Sequence, residues 1–212
     1  MSLFLGKIHY WMFNKIIWFQ NLEVELEKLA KGEGLNTEEI LKNLDKKYGE
    51  KVEDKPLEEI IDQGNIHGWL QERITIAENR LSALTAELLK VEGINEKIEE
   101  VYKNQGHIAA KEVKENNQEA EDAIAIYNLI NDYLLDGMPC DRVNLVVEQE
   151  EEKVLWERRV CVHKDIWADK NIDVNYFYGL RDLWIKTFVE EVNGNFQYKK
   201  LSDTEMVIER VK

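Results

Sequence analysis

The fold of this chain is decided by two matching stretches, Gly6-Lys-Ile8-His9-Tyr-Trp11 and Gly64-Asn-Ile66-His67-Gly-Trp69. The match continues at a constant offset, to Ile16, Asn21 and Leu26 in the first copy and to Ile74, Asn79 and Leu84 in the second. Residues 6–29 and 64–87 share seven identical positions of 24, where average amino-acid usage gives about one or two by chance. We therefore predict an internal repeat in the N-terminal half.

Each copy is predicted to form a helical hairpin, the first over about 5–49 and the second over about 57–106. Asn36 and Asn95 follow glycine-containing turns. Each is suited to cap the second helix of its hairpin, because the side-chain oxygen can accept a hydrogen bond from a free backbone N–H. Gly49 and Gly106 are predicted to end those helices. The first helix of the second copy shows one apolar face, formed by Leu70, Ile74, Ala77, Leu81, Leu84 and Leu88.

Two hairpins in tandem predict a mainly antiparallel four-helix bundle, with the two copies related by a pseudo-two-fold axis. A further helix is predicted at about 117–135, where apolar residues again recur at helical spacing. We therefore expect residues 1–135 to form a helical unit.

The first helix carries more aromatic residues than one bundle seam requires: Phe4, Tyr10, Trp11, Phe13, Trp18 and Phe19. We expect this surface to pack against the rest of the chain, with a homodimer interface or a ligand pocket as the alternatives. Lys7 and Lys15 interrupt the apolar stretch, so no stable membrane span is predicted there.

The second half of the chain changes from helical spacing to alternation of apolar and polar residues. Residues 142–150 and 154–162 alternate on either side of an acidic turn, which predicts a β-hairpin. A turn centred between residues 151 and 152 would place Val147 opposite Trp156.

A helix follows at about 176–192, and a second hairpin pairs residues 196–201 with 205–211. Residues 136–212 are therefore expected to form a small β-β-α-β-β antiparallel sheet unit packed on the helical bundle. The predicted class of the whole chain is α+β.

The composition narrows the classes of function. The net charge of the 212 residues is −14, and an acidic surface repels phosphate backbones, so no nucleic-acid binding is predicted. Two cysteines are too few for a disulfide scaffold. The first twenty residues lack the pattern of a secretory signal, so a cytoplasmic location is expected.

The first candidate site is the pair His9 and His67, which occupy equivalent positions of the repeat. We expect them at a similar height on diagonal helices of the bundle, where two imidazoles could ligate a metal ion or grip a ligand. The alternative is structural: each imidazole hydrogen-bonds the start of its helix. The Glu-x-x-His signature of di-iron bundles is absent, so a ferritin-like oxidase is not predicted.

The second candidate site comprises Cys140, Cys161 and His163. In the predicted hairpin Cys140 lies opposite His163, and Cys161 shares a strand face with His163. Two thiolates and an imidazole could hold zinc with one open position, and a cysteine beside a histidine could equally be an activated nucleophile. Arg142 and Arg159 lie on the same predicted face and are candidates for contacts to an anion. The alternative is that both cysteines are ordinary small buried residues.

These observations favour a small-ligand- or metal-binding protein with a pocket between the helical bundle and the sheet. One alternative is a thiol-dependent enzyme that uses Cys140 or Cys161 with His163. The other is a homodimeric interaction or regulatory protein without a catalytic site. The sequence contains no phosphate loop, dinucleotide fingerprint, serine-nucleophile elbow, zinc-protease motif or EF-hand that would decide among them.

Overall fold

The computed structural model describes residues 5–53, 55–118 and 120–211, so Phe4 lies outside the described residues. The class is α+β, as predicted: a helical part precedes a four-stranded antiparallel sheet. The helices are α1 Lys7–Gly32, α2 Thr37–Tyr48, α3 Leu57–Ile60, α4 Ile66–Leu88, α5 Asn95–Glu115, α6 Ala123–Tyr133, α7 Lys164–Ala168 and α8 Val174–Val192. The strands are β1 Asn144–Glu150, β2 Lys153–Arg158, β3 Phe196–Lys200 and β4 Glu205–Arg210.

The repeat motifs begin α1 and α4, and these two helices run parallel and in direct contact. His9 meets His67 near the helix starts, and further along Arg80 donates to Glu23 with an Nη2–Oε1 distance of 2.9 Å. The expected equal height of the two histidines is confirmed, but their helices are neighbours and not diagonal partners. The second helices cross over, since α5 packs on α1 and α2 packs on α4.

The predicted caps are correct in the first copy and wrong in the second. Asn36 accepts from the N–H of Glu39, and Gly49 follows α2 with φ of 100°, a conformation that favours glycine. Asn95 is instead the first residue of α5. Gly106 lies inside α5, where a Cβ would stand 2.7 Å from the carbonyl oxygen of Trp184. This glycine therefore admits the backbone of α8, and it does not end its own helix.

The sheet has the strand order β1-β2-β4-β3, and α6 and α8 pack against it. Val154, Trp156 and Ile208 are buried beneath these helices. The ring of Tyr127 on α6 lies 5.1 Å from that of Trp156, centroid to centroid. Asp122 caps α6 by accepting from the N–H of Ala125 at 2.7 Å.

The register of the first hairpin agrees with the prediction only near the turn. Glu150 pairs with Lys153 as expected, but a bulge at Val147 places Val146 opposite Trp156. The predicted pairing of Val147 with Trp156 is therefore wrong, and Val147 is 55% exposed. A bulge inserts one residue into one strand, which shifts every later pair.

The C-terminal part and the helices share one continuous hydrophobic core. Helix α8 packs along α5 and also against β3. The side chains of Trp184 and Phe188 on α8 stack with centroids 5.2 Å apart. Within the described ranges, no helix is both long and apolar enough to cross a bilayer.

Candidate functional site

His163 lies at the centre of a buried polar cluster formed with Glu78, Asp136 and Arg181. It precedes α7 and is 1% exposed. Its Nδ1 lies 2.6 Å from Oε1 of Glu78 and its Nε2 lies 3.1 Å from Oδ1 of Asp136. A carboxylate accepts hydrogen bonds, so this geometry suits a ring that is protonated at both nitrogens.

Two further hydrogen-bond donors complete this cluster. The guanidinium of Arg181 donates to Asp136 and to the backbone oxygen of Leu135, and the indole N–H of Trp167 donates to Glu78 at 3.2 Å. The side chains of His163 and Arg181 therefore face the carboxylates of Glu78 and Asp136, and the Asp136 side chain is 19% exposed.

The environment sets the protonation states of the cluster. Burial alone would lower the pKa of His163, but the charge of Glu78 and the hydrogen bonds to Asp136 and Glu78 raise the pKa above its ordinary value. Burial would likewise raise the pKa of Asp136, yet Arg181 and His163 hold it well below its usual range. Both nitrogens of His163 are engaged, and the ring is closed to solvent. Through Glu78, Arg181 and Asp136, the cluster joins α4, α8 and the segment before β1.

The Cys/Cys/His candidate is not arranged as the predicted hairpin required. β2 ends at Arg158, so Cys161 and His163 do not share a strand. Cys140 and Cys161 are free and exposed. The sulfur of Cys161 accepts from the hydroxyl of Tyr178 at 3.1 Å, whereas the nitrogens of His163 face carboxylates.

The two arginines proposed for anion contacts also lie outside regular strands. Arg142 adopts the left-handed conformation with φ of 49° after a short 3-10 turn at Pro139–Asp141. Arg159 is largely exposed, with its Nε 4.0 Å from Glu157. Across the described residues, no group of three or more His, Cys, Asp or Glu side chains is placed to hold a metal ion.

The histidine pair, in contrast, is brought together by the parallel packing of α1 and α4. The Nε2 atoms of His9 and His67 are 3.4 Å apart. The backbone N–H of Gly6 donates to Nδ1 of His9 at 3.0 Å. In the neutral ring this assigns the proton to Nε2, which points at His67. The geometry supports the structural alternative, because a metal ligand needs a free lone pair on that nitrogen.

The space between the helices and the sheet is small. A cavity of about 30 Å³ lies among α6, α8 and the sheet, with Tyr127, Arg158, Tyr178 and Tyr198 among its lining residues. A volume of this size holds about one water molecule.

A much larger groove of about 660 Å³ lies among α1, the end of α5 and α6. We call it the aromatic groove, and its defining residues are Tyr10, Trp11, Trp18, Glu112, Asp132 and Tyr133. The indole N–H of Trp11 donates to Asp132 at 2.8 Å, and Trp18 meets Tyr133 edge to face at 4.8 Å. The aromatic excess of α1 was visible in the sequence. The carboxylates of Glu112 and Asp132 come from helices that lie far along the chain, so no local pattern predicted them.

A second groove of about 540 Å³ lies between α2 and α4. Its one aromatic lining residue is Tyr48, and the ammonium groups of Lys47 and Lys170 already lie 4.9 Å and 4.8 Å from that ring. This groove therefore has one aromatic ring, whereas the aromatic groove has four.

No protein-family model, curated protein or solved structure matches this chain. The inferences about function below therefore depend on the geometry of the described residues.

Proposed function

We propose that this protein binds a small organic cation, an ammonium compound, in the aromatic groove. The observation that carries the proposal is the convergence of four aromatic side chains and two carboxylates on one groove of about 660 Å³. Ligand sites in proteins commonly enclose roughly 300–1,000 Å³ and combine apolar walls with a few polar groups.

The overall charge of the chain favours a cation. Glu112 and Asp132 supply two carboxylates to the groove, where Lys7 and the Lys15 ammonium over Trp11 supply two positive charges. The chain as a whole carries a net charge of −14, which raises the local concentration of cations at its surface. Aromatic faces attract ammonium groups by about 0.5–2 kcal/mol per contact, more strongly where water is excluded.

The chain already places an ammonium group on this aromatic wall. The Nζ atom of Lys15 lies 3.9 Å from the ring centroid of Trp11, and Lys15 is only 4% exposed. In the second copy of the repeat, the guanidinium of Arg73 lies 5.5 Å from Trp69. Each copy of the repeat therefore places a cation over a tryptophan. Of the two tryptophans, Trp11 borders the aromatic groove and Trp69 does not.

Calorimetric titration with choline and with dimethylbutanol, its uncharged isostere, tests the proposal. We expect choline to bind roughly tenfold more tightly, because cation–π and carboxylate contacts act on the charged compound alone. Trp18→Leu and Asp132→Asn should each weaken choline binding. Equal binding of the two compounds, or no binding of choline, would refute the proposal.

Trp69→Phe supplies the matched control, because Trp69 is the repeat counterpart of Trp11 and does not border the aromatic groove. The variant should bind choline as the wild type does. A loss of binding in Trp69→Phe equal to that in Trp18→Leu would show that general packing of the helices, and not the groove, determines the affinity.

A further inference from the structure

The second groove, here called the α2–α4 groove, carries opposite charges at the two ends of its α2 wall. That wall is one helical face, since its lining positions recur every three or four residues: Asn36, Glu39, Ile40, Asn43, Leu44 and Lys47. Glu39 lies in the first turn of α2 and Lys47 in the last turn, about 12 Å apart along the helix axis. The wall is therefore acidic where α2 begins and basic where it ends.

The charged groups at both ends of this wall are left without a partner of opposite charge inside the chain. Among the described residues, neither Glu39 nor Lys47 forms a salt bridge. Glu39 accepts from the side-chain amide of Asn36 at 3.0 Å. The charge of Asp169 acts on Lys47, but that carboxylate already pairs with Lys170 at 2.7 Å. Both ends of the wall can therefore pair with charges on another molecule.

Helix α2 does not share the excess negative charge of the chain. The net charge of −14 opposes association between copies, but α2 contains three acidic residues and three lysines and is neutral. Leu44 is its one buried residue, and Ile40 and Leu41 are only partly covered by the core. A neutral helix with partly covered apolar residues can meet a second copy without the repulsion that the rest of the surface imposes.

We propose that the α2–α4 groove seats helix α2 of a second copy of this chain, in an antiparallel pair about a two-fold axis. Such an interface uses the same surface on both copies. Glu39 and Lys47 each lie four positions from Asn43, so an axis at Asn43 sets Glu39 opposite the partner subunit's Lys47 and forms this ion pair twice. The two Asn43 amides meet on the axis, where each can donate and accept. A parallel pair would instead oppose like charges.

This interface is independent of the proposed cation site, because the aromatic groove and the α2–α4 groove have no lining residue in common. One short helix from each copy makes a small interface, so the association is expected to be weak, with a dissociation constant in the micromolar range. Salt should weaken it further, because exposed ion pairs are screened.

Sedimentation equilibrium of the full chain, from about 5 µM to about 500 µM, tests the proposal. We expect the average mass to rise from that of one chain toward that of two. Glu39→Lys and Lys47→Glu each oppose like charges at two places and should raise the dissociation constant about tenfold. The double variant Glu39→Lys/Lys47→Glu restores both ion pairs in reversed order and should dimerise again.

Glu38→Lys is the matched control. Glu38 is the neighbouring carboxylate in the first turn of α2, but it does not line the groove. The control makes the same change in net charge at the same helix terminus as Glu39→Lys, and it should dimerise as the wild type does. A wild type that stays monomeric at the highest concentration would overturn the proposal and leave the groove to a helix of a different protein. Dimers that persist in Glu39→Lys, or that do not return in the double variant, would overturn it as well.

Discussion

The two copies of the repeat are alike in their first helices and differ in what covers them. Equivalent positions 20 and 78 show the difference most clearly. Gln20 accepts from the backbone N–H of Val52 at 2.8 Å and donates to its carbonyl oxygen at 3.4 Å. Glu78 instead accepts from His163 and from the indole of Trp167.

This difference shows how one side chain selects the segment that packs on a helix. An amide both donates and accepts, which suits a peptide unit, whereas a carboxylate only accepts and suits cationic or N–H donors. The first copy is therefore covered by the chain immediately after its own hairpin. The second copy is covered by residues that lie about 85 positions further along the chain.

The largest loss of stability is expected when the contact between Glu78 and His163 is broken. His163→Ala leaves the buried carboxylate of Glu78 with the indole N–H of Trp167 and no cation, while Asp136 keeps Arg181, so the free energy of unfolding should fall by about 3–5 kcal/mol. Gln20→Ala removes two hydrogen bonds to a backbone segment and should cost about 1–2 kcal/mol. Urea denaturation of both variants measures the two losses, and equal losses would contradict the contrast between the copies.

The same cluster predicts a dependence of stability on pH. The pKa of His163 is raised in the folded state above its ordinary value of 6.5. Its contribution is therefore fully present below pH 6.5 and is lost as the pH rises through the folded-state pKa. The stability margin of the wild type over His163→Ala should accordingly narrow at alkaline pH. A margin that widens with pH would show that the imidazole is buried in its neutral form.

Substitution of Gly49 or Gly106, which occupy corresponding positions of the repeat, is expected to have the next largest effect on stability. Gly106→Ala places a Cβ 2.7 Å from the backbone oxygen of Trp184, so α5 and α8 must separate at a cost of about 1–3 kcal/mol, despite the better helix propensity of alanine. Gly49→Ala strains a residue with φ of 100°, at a cost of about 1–3 kcal/mol.

Hydrogen exchange distinguishes the two mechanisms even if the losses in stability are similar. Gly106→Ala should speed exchange of the amides of α8, because the contact between the two helices is lost. Gly49→Ala should leave α8 protected, since the strain is local to the end of α2. Faster exchange in α8 for both variants would contradict this account.

The fold was predictable where the pattern is local. Helical periodicity and the repeated motif identified α1, α2, α4 and α5, and alternation identified the four strands. The role of Gly106 was not predictable, because it depends on the backbone of α8, far along the chain. The bulge at Val147 likewise interrupts the alternation without a sequence signal of its own, and it invalidated the predicted register.

The candidate sites show the same division. His9 and His67 could be paired from the repeat alone, because equivalent positions of parallel helices meet. The Cys140, Cys161 and His163 set depended on extending a strand past Arg158, where the structure ends it. The partners of His163 come from α4 and from the segment before β1, and no periodic pattern links residues so far apart.

The smallest effect on stability is expected from Lys15, whose ammonium group lies over Trp11 as the guanidinium of Arg73 lies over Trp69. Burial lowers the pKa of Lys15 to about 8, with Asp136 opposing this and Arg181 adding to it. The lowered pKa means that the folded state disfavours the charged form of Lys15 by about 3 kcal/mol, while loss of the contact to Trp11 costs about 0.5–2 kcal/mol. Lys15→Met should therefore stabilise the protein by about 1 kcal/mol at pH 7.

Its counterpart Arg73→Met separates the charge effect from packing. Between about pH 8 and 10.5 the unfolded chain holds the Lys15 proton more tightly than the folded chain does, so wild-type stability rises with pH and the advantage of Lys15→Met should shrink. Arginine stays charged over this range, so the effect of Arg73→Met should not change with pH. Thermal unfolding of the three proteins at pH 7 and pH 10 measures both trends, and a parallel response of the two variants would mean that the lysine does not titrate in this range.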